Sequence, residues 1–179
     1  MSTRSIWTFI DKSWEPEREY HVYKHYDGYP AGASAFVINV LLSELAWRWP
    51  RFEADEFAAA FIAANKVRQG DIRLCKSRTD FTDVGYGYTL WVDYQSAEPL
   101  VGRSAGTLMI EVAATDYWDD TFSEKVLYTG SVMGFLAEFP PYYATTEDAA
   151  GRVLLRDERD PGAIRYRDEM KRLRELGYK

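Results

Sequence analysis

The sequence predicts an α+β fold: one domain in which an antiparallel sheet carries helices on one face, with a further helix at the C-terminus. Three observations lead there. Residues around 20–25, 86–94, 107–112 and 126–130 alternate with the two-residue period of a pleated strand. Helical spacing governs 33–47, 55–69 and 161–176, in blocks separate from most of the strands. Finally, 179 residues with 46% apolar and 16% aromatic content can build one full core but not two. A fold of this length buries about 70% of its unfolded surface.

Taken in order, residues 5–10 and 20–25 read as strands joined by a polar link with Trp14 and Pro16. In the second strand Tyr20, Val22 and Lys24 alternate with His21, Tyr23 and His25. Asp27-Gly28-Tyr29-Pro30 stops it: Gly28 tolerates a positive φ, and Pro30 enters a helix only in its first turn. Phe36, Val37, Val40, Leu41 and Leu45, with Ile38 and Leu42 on a second face, make 33–47 the central core helix, ended at Trp49-Pro50. The next helix, 55–69, has Asp55 and Glu56 at its start, Lys66 and Arg68 at its end, and Gly70 as cap. Its alanine run implies close approach to a neighbour. Three later strands form a meander through loops 98–106 and 114–123. A short helix follows at 131–138, and Pro161 opens the last one. The division expected is a core domain over 1–150, then a charged connection and helix over 151–179.

The net charge of −6 is uneven. Residues 152–179 carry nine basic and six acidic side chains, leaving thirteen against twenty-two before them. An acidic body disfavours binding to phosphate backbones and suits docking on a basic protein surface, including one that otherwise holds nucleic acid. Acidity also serves solubility alone. A lone Cys75 cannot form an intramolecular disulfide, the N-terminus lacks a signal-peptide pattern, and the most apolar stretch, 31–46, is broken by polar residues. These features predict a cytoplasmic protein without membrane contact.

The sharpest motif is Tyr23-Lys24-His25-Tyr26-Asp27-Gly28-Tyr29-Pro30. His25 and Asp27 could share a proton or ligate a metal, and His21 would complete a facial triad of His21, His25 and Asp27. Turn chemistry accounts for the same residues: Asp27 caps the turn, Gly28 takes the left-handed conformation, and His25 bonds to backbone. The run of His25, aromatic Tyr26, Asp27, Gly28, Tyr29 and Pro30 resembles a family of small proteins encoded by bacteriophages and bacterial genomes. The likeness extends to the Ala-rich segment 57–65, Gly70, Tyr86-Gly87-Tyr88 and Leu127-Tyr128-Thr129-Gly130, over about residues 20–135. It implies a phage or mobile-element setting and brings no catalytic residues with it.

The second feature is Asp116-Tyr117-Trp118-Asp119-Asp120-Thr121-Phe122-Ser123-Glu124. It lacks the alternating ligands and central glycine of a calcium loop. Tyr117, Trp118 and Phe122 could anchor a partner whose basic surface Asp119 and Asp120 select, or the loop is a solvated turn with Trp118 tucked inward. Weaker features are the interleaved charges of the C-terminal segment and the basic group Lys66, Arg68, Arg73, Lys76 and Arg78. Phosphate-loop, dinucleotide and nucleophile-elbow patterns are absent, and Cys75 beside a histidine is more simply a buried thiol.

The function expected is that of a non-catalytic phage or mobile-element protein that binds a host protein, interference with a CRISPR-type defence being its most concrete form. Tyr117, Trp118, Asp119, Asp120 and Phe122 are the anchors. No cofactor and no direct nucleic-acid contact are expected, and self-association stays open. The alternatives are a metal-dependent enzyme or small-ligand binder using His25 and Asp27, with Gly28 and Tyr29 shaping the motif, and a virion or assembly component.

Overall fold

The computed structural model describes residues 3–43, 52–94, 106–118 and 121–178, with 116–118 and 121–122 described by backbone alone. The expected α+β class holds. A six-stranded sheet is built from β1 (Ser5–Asp11), β2 (Arg18–Lys24), β3 (Ile72–Cys75), β4 (Tyr86–Asp93), β5 (Thr107–Trp118) and β6 (Thr121–Ser131). The helices are α1 (Pro30–Leu42), α2 (Ala54–Asn65), α3 (Val132–Glu138) and α4 (Pro161–Glu175). A separate two-stranded ribbon pairs β7 (Thr145–Glu147) with β8 (Val153–Leu155).

The sheet is mixed, which corrects the expectation of a purely antiparallel one. Its order is β3-β2-β1-β4-β5-β6, and β4 runs parallel to β1, with Trp7 opposite Tyr88 and Phe9 opposite Leu90. Parallel neighbours need a crossover, because a tight turn only reverses direction. Here the chain reaches the edge at β3 and returns to the middle through residues 76–85, which pass across the face opposite the helices. Phe81 stacks on Tyr23 at 4.1 Å, Asp83 pairs with Arg4, and Arg78 pairs with Glu124 at 2.5 Å. Consequently β1 is buried on both faces: Trp7 and Phe9 toward the helices, Ile6 and Thr8 on the other side.

Aromatic rings make the centre. Trp7 stacks on Tyr88 with centroids 4.3 Å apart and meets Phe61 at 4.5 Å, while Phe9 packs on Phe57 and Phe61. Phe135 of α3 meets Tyr88 edge-on. Helix α1, apolar on most sides, buries Val37, Ile38, Val40 and Leu41 as its pattern predicts. It begins at Pro30, three residues before the expected start, and the expected stretch beyond Ser43 lies outside the described residues.

Other differences are local. Helix α2 ends at Asn65, so Lys66 and Arg68 fall beyond it. The expected loop 114–123 is largely strand: β5 and β6 stay paired to Trp118 and Thr121, with a register shift beside Val112/Ala113. Most of the expected loop 98–106 lies outside the described residues. The 151–179 segment is no loose tail. Met170 and Leu173 of α4 join the same core, and the Tyr166 hydroxyl donates to the Leu136 carbonyl at 2.7 Å. Asp160 caps α4 through the Gly162 amide, and its first turn packs on Tyr143 so closely that a Cβ on Gly162 would lie 1.8 Å from the Tyr143 carbonyl oxygen.

Candidate functional site

The motif occupies the turn from β2 into α1. Asp27, not Gly28, is the residue in the left-handed region, at φ 56°. Aspartate visits that region more readily than most side chains. Gly28 is required for closeness instead: a Cβ there would sit 2.8 Å from the Arg4 carbonyl carbon and from Ser5. Its amide donates to the Thr3 carbonyl at 2.9 Å, and its carbonyl accepts from the Tyr88 hydroxyl at 2.8 Å. Gly32, one turn into α1, packs on the Asp27 carbonyl, where a Cβ would lie 2.1 Å from the oxygen. Tyr29 is the residue before the helix and Pro30 its first, in the one turn of a helix that proline tolerates. Burial pushes the Tyr29 phenol above its ordinary range, with Asp27 and Tyr142 adding to the shift.

The two histidines part company. His25 amide donates to the Asp71 carbonyl, as turn chemistry predicts, but its ring Nδ1 is 2.9 Å from the Tyr23 hydroxyl. His21 Nδ1 lies 3.1 Å from Thr8 Oγ1, and its Nε2 is 3.5 Å from Glu19. Burial holds the His21 imidazole below its ordinary value; Glu19 and Asp80 pull it upward and Arg78 downward. The triad of His21, His25 and Asp27 therefore does not assemble, and no group of three or more His, Cys, Asp and Glu is placed to hold a metal among the described residues. Cys75 is partly buried, and desolvation pushes its thiol up to about 11, so it is a poor nucleophile at neutral pH.

What the turn does create is a pocket of about 460 Å³ between the end of β2, one face of α1 and the residues after α2. Its floor is polar and buried. Lys24 Nζ pairs with Asp71 Oδ1 at 2.5 Å, both side chains under 5% exposed, and lies 4.6 Å from the Phe36 ring centroid. Asn65 is saturated: its amide nitrogen donates to the Phe36 and Phe61 carbonyls, and its oxygen accepts from Asn39. The mouth carries Asp27, Asn39, Arg68 and Tyr142, with the Arg68 guanidinium 4.3 Å from the Tyr26 ring centroid. Of these residues the sequence singled out Asp27 and, within a basic group, Arg68. That group is dispersed, since Arg73 faces Tyr23 and Arg78 pairs with Glu124. Lys24 carried a readable signal: a cation two residues after buried Val22, on an inward-facing strand position, demands a buried partner.

The predicted anchors sit elsewhere. Tyr117 lies opposite Phe122 and Trp118 opposite Thr121 at the far end of the β5–β6 hairpin. Asp119 and Asp120 lie outside the described residues. In the C-terminal segment Arg152, Arg156 and Arg165 pair four residues along or back with Asp148, Asp160 and Glu169, the pattern of a solvated face. No helix among the described residues is long and apolar enough to cross a membrane.

Comparison with protein-family models, curated proteins and solved structures finds no match to this chain.

Proposed function

We propose that this protein is a non-catalytic binding protein of a phage or mobile element that docks on a basic host-protein surface through the tip of the β5–β6 hairpin. One observation carries the reading. Strand β4 stops pairing with β5 at Tyr86–Ala114, whereas β5 and β6 continue for four further pairs to Trp118–Thr121. Those pairs form a two-stranded ribbon reaching roughly 13 Å past the third strand, at ~3.3 Å per residue. Its base is tied by the Thr115 amide to the Gly85 carbonyl and by Glu124 to Arg78; beyond that, among the described residues, it has no sheet neighbour outside its own pair, and a two-stranded ribbon has little core of its own. Its sequence there combines three large rings with a dense run of acids. Rings supply contact area at small entropic cost, and the acids, with the acidic body behind them, choose a basic partner and speed encounter. The resemblance of the 25–30 run supports the phage setting. A nucleic-acid-holding defence complex, CRISPR included, is the concrete partner class, because its exposed basic channel is the complement of this tip.

The test is the double variant Trp118→Ala/Phe122→Ala against a purified basic defence complex and against the same complex preloaded with its nucleic acid. Binding should fall at least about tenfold in the variant, weaken with added salt, and be blocked by preloading. The melting temperature should stay close to that of the parent. Equal loss of folding would mean that the rings are core, and unaltered binding would remove the tip from the interface.

A further inference from the structure

We propose that the pocket below Asp27 binds a small zwitterion of the amino-acid class, its ammonium on Asp27 and its carboxylate on Arg68. The inference goes beyond the hairpin reading and shares no residue with it. It starts from two exposed, opposite charges at the pocket mouth that have no ion-pair partner among the described residues. The Asp27 carboxylate takes no hydrogen bond or ion pair among the described residues, although Gly32 packs closely on its backbone carbonyl. Arg68 rests on the Tyr26 ring and, among the described residues, has no carboxylate partner and no bond to its in-plane donors. Both line one pocket, and they do not pair with each other.

The floor explains why both signs are wanted. Lys24 and Asp71 neutralise one another, so the base of the pocket adds no net charge. A lone anion such as phosphate would gain Arg68 but face Asp27; a lone cation would meet the reverse conflict. A molecule carrying both groups satisfies each. Its remaining atoms have room in about 460 Å³ beside Phe36, Ala64 and Val67, within the size range of small-ligand sites. A residue held at positive φ with its side chain unpartnered is also the kind of local strain that functional sites retain. The hydrogen bonds of Asn65 and the Lys24–Asp71 pair hold the cavity walls without help from a ligand.

Calorimetric titration of the full chain with each standard L-amino acid tests this, with N-acetyl and methyl-ester derivatives of any that bind. Acetate, methylamine and inorganic phosphate serve as probes that carry one sign of charge only. At least one amino acid should bind with Kd of about 1 mM or tighter, and blocking either charged end should weaken it about tenfold or more. Asp27→Asn, which keeps a side chain tolerant of the left-handed region, and Arg68→Gln should each do the same with little change in melting temperature. Trp118→Ala/Phe122→Ala should bind like the parent. Absence of binding by every amino acid at about 10 mM would overturn the proposal. So would derivatives or phosphate binding as well as the free zwitterion, or the two variants retaining parental affinity. Should a variant misfold, the derivative series on the unaltered protein still decides.

Discussion

The Tyr88 hydroxyl donates to the Gly28 carbonyl at 2.8 Å, tying a central strand to the turn that opens α1. Tyr88 is fully buried and stacked on Trp7, and burial pushes its phenol well above the ordinary range. It is therefore a neutral donor at any working pH. Tyr88→Phe keeps the stack and removes only the donor, leaving a buried carbonyl without this bond. Urea denaturation should show a loss of about 1–3 kcal/mol, against about 3–5 for Tyr88→Ala, which also empties the ring's volume. A Phe variant as stable as the parent would show that the turn does not depend on this bond.

The Lys24–Asp71 pair predicts a different pattern. Asp71→Ala strands a buried ammonium and should cost about 3–5 kcal/mol, with part of the pocket floor lost. The double variant Lys24→Met/Asp71→Leu removes both charges and should recover most of that stability. Chemical denaturation of the single and double variants measures the difference. If the double variant is as unstable as the single, the pair is held by something other than mutual neutralisation.

At the turn, backbone shape and side-chain chemistry separate cleanly. Asp27→Gly should leave stability within about 0.5 kcal/mol, because glycine adopts a positive φ freely but gains entropy when unfolded. Asp27→Val should cost about 1–2 kcal/mol, since a β-branched residue is poorly suited to that region. Gly32→Ala forces its Cβ onto the Asp27 carbonyl oxygen and should cost about 2–3 kcal/mol or more. Melting curves of the three variants rank them, and a harmless Gly32→Ala would mean that the turn yields easily.

Much of the fold was legible because burial imposes periods. Tyr88, Leu90 and Val92 alternate with Gly87, Thr89 and Trp91 as the sequence shows, and all three are buried on the side of Trp7 and Phe9. Helices α1 and α3 follow equally from spacing and punctuation. The parallel placement of β4 beside β1 was not legible, since no local pattern records which strand a returning segment chooses. Strand β3, with four residues and an exposed Leu74, is too short and too wet for a period. The acidic run that begins at Asp116 hid the end of β5, because charge suggests solvated loop where the strand register in fact continues to Trp118. Gly28 misled for a related reason: residue type favoured it for positive φ, whereas the neighbouring Arg4–Ser5 backbone decided its role. The pocket needed three distant segments brought together, and its one local sign was Lys24, a cation on an inward-facing strand position.

His21 gives the pH dependence. Its imidazole titrates below the ordinary 6.5 in the folded chain, chiefly through burial, and near 6.5 when unfolded. Between those values the unfolded chain holds the additional proton, so unfolding becomes easier as pH falls. The contribution is fully present above about pH 7 and is lost as pH drops from 6.5 through the folded value. His21→Gln, which keeps a hydrogen-bonding group near Thr8, should flatten that part of the stability profile relative to the parent. Glu19→Gln should steepen it, because Glu19 now pulls the imidazole upward. Denaturation midpoints at half-unit steps from about pH 7.5 to 5, with NMR titration of the ring protons, read both effects. A parent stabilised by acid over this range would mean that the Glu19 contact outweighs burial.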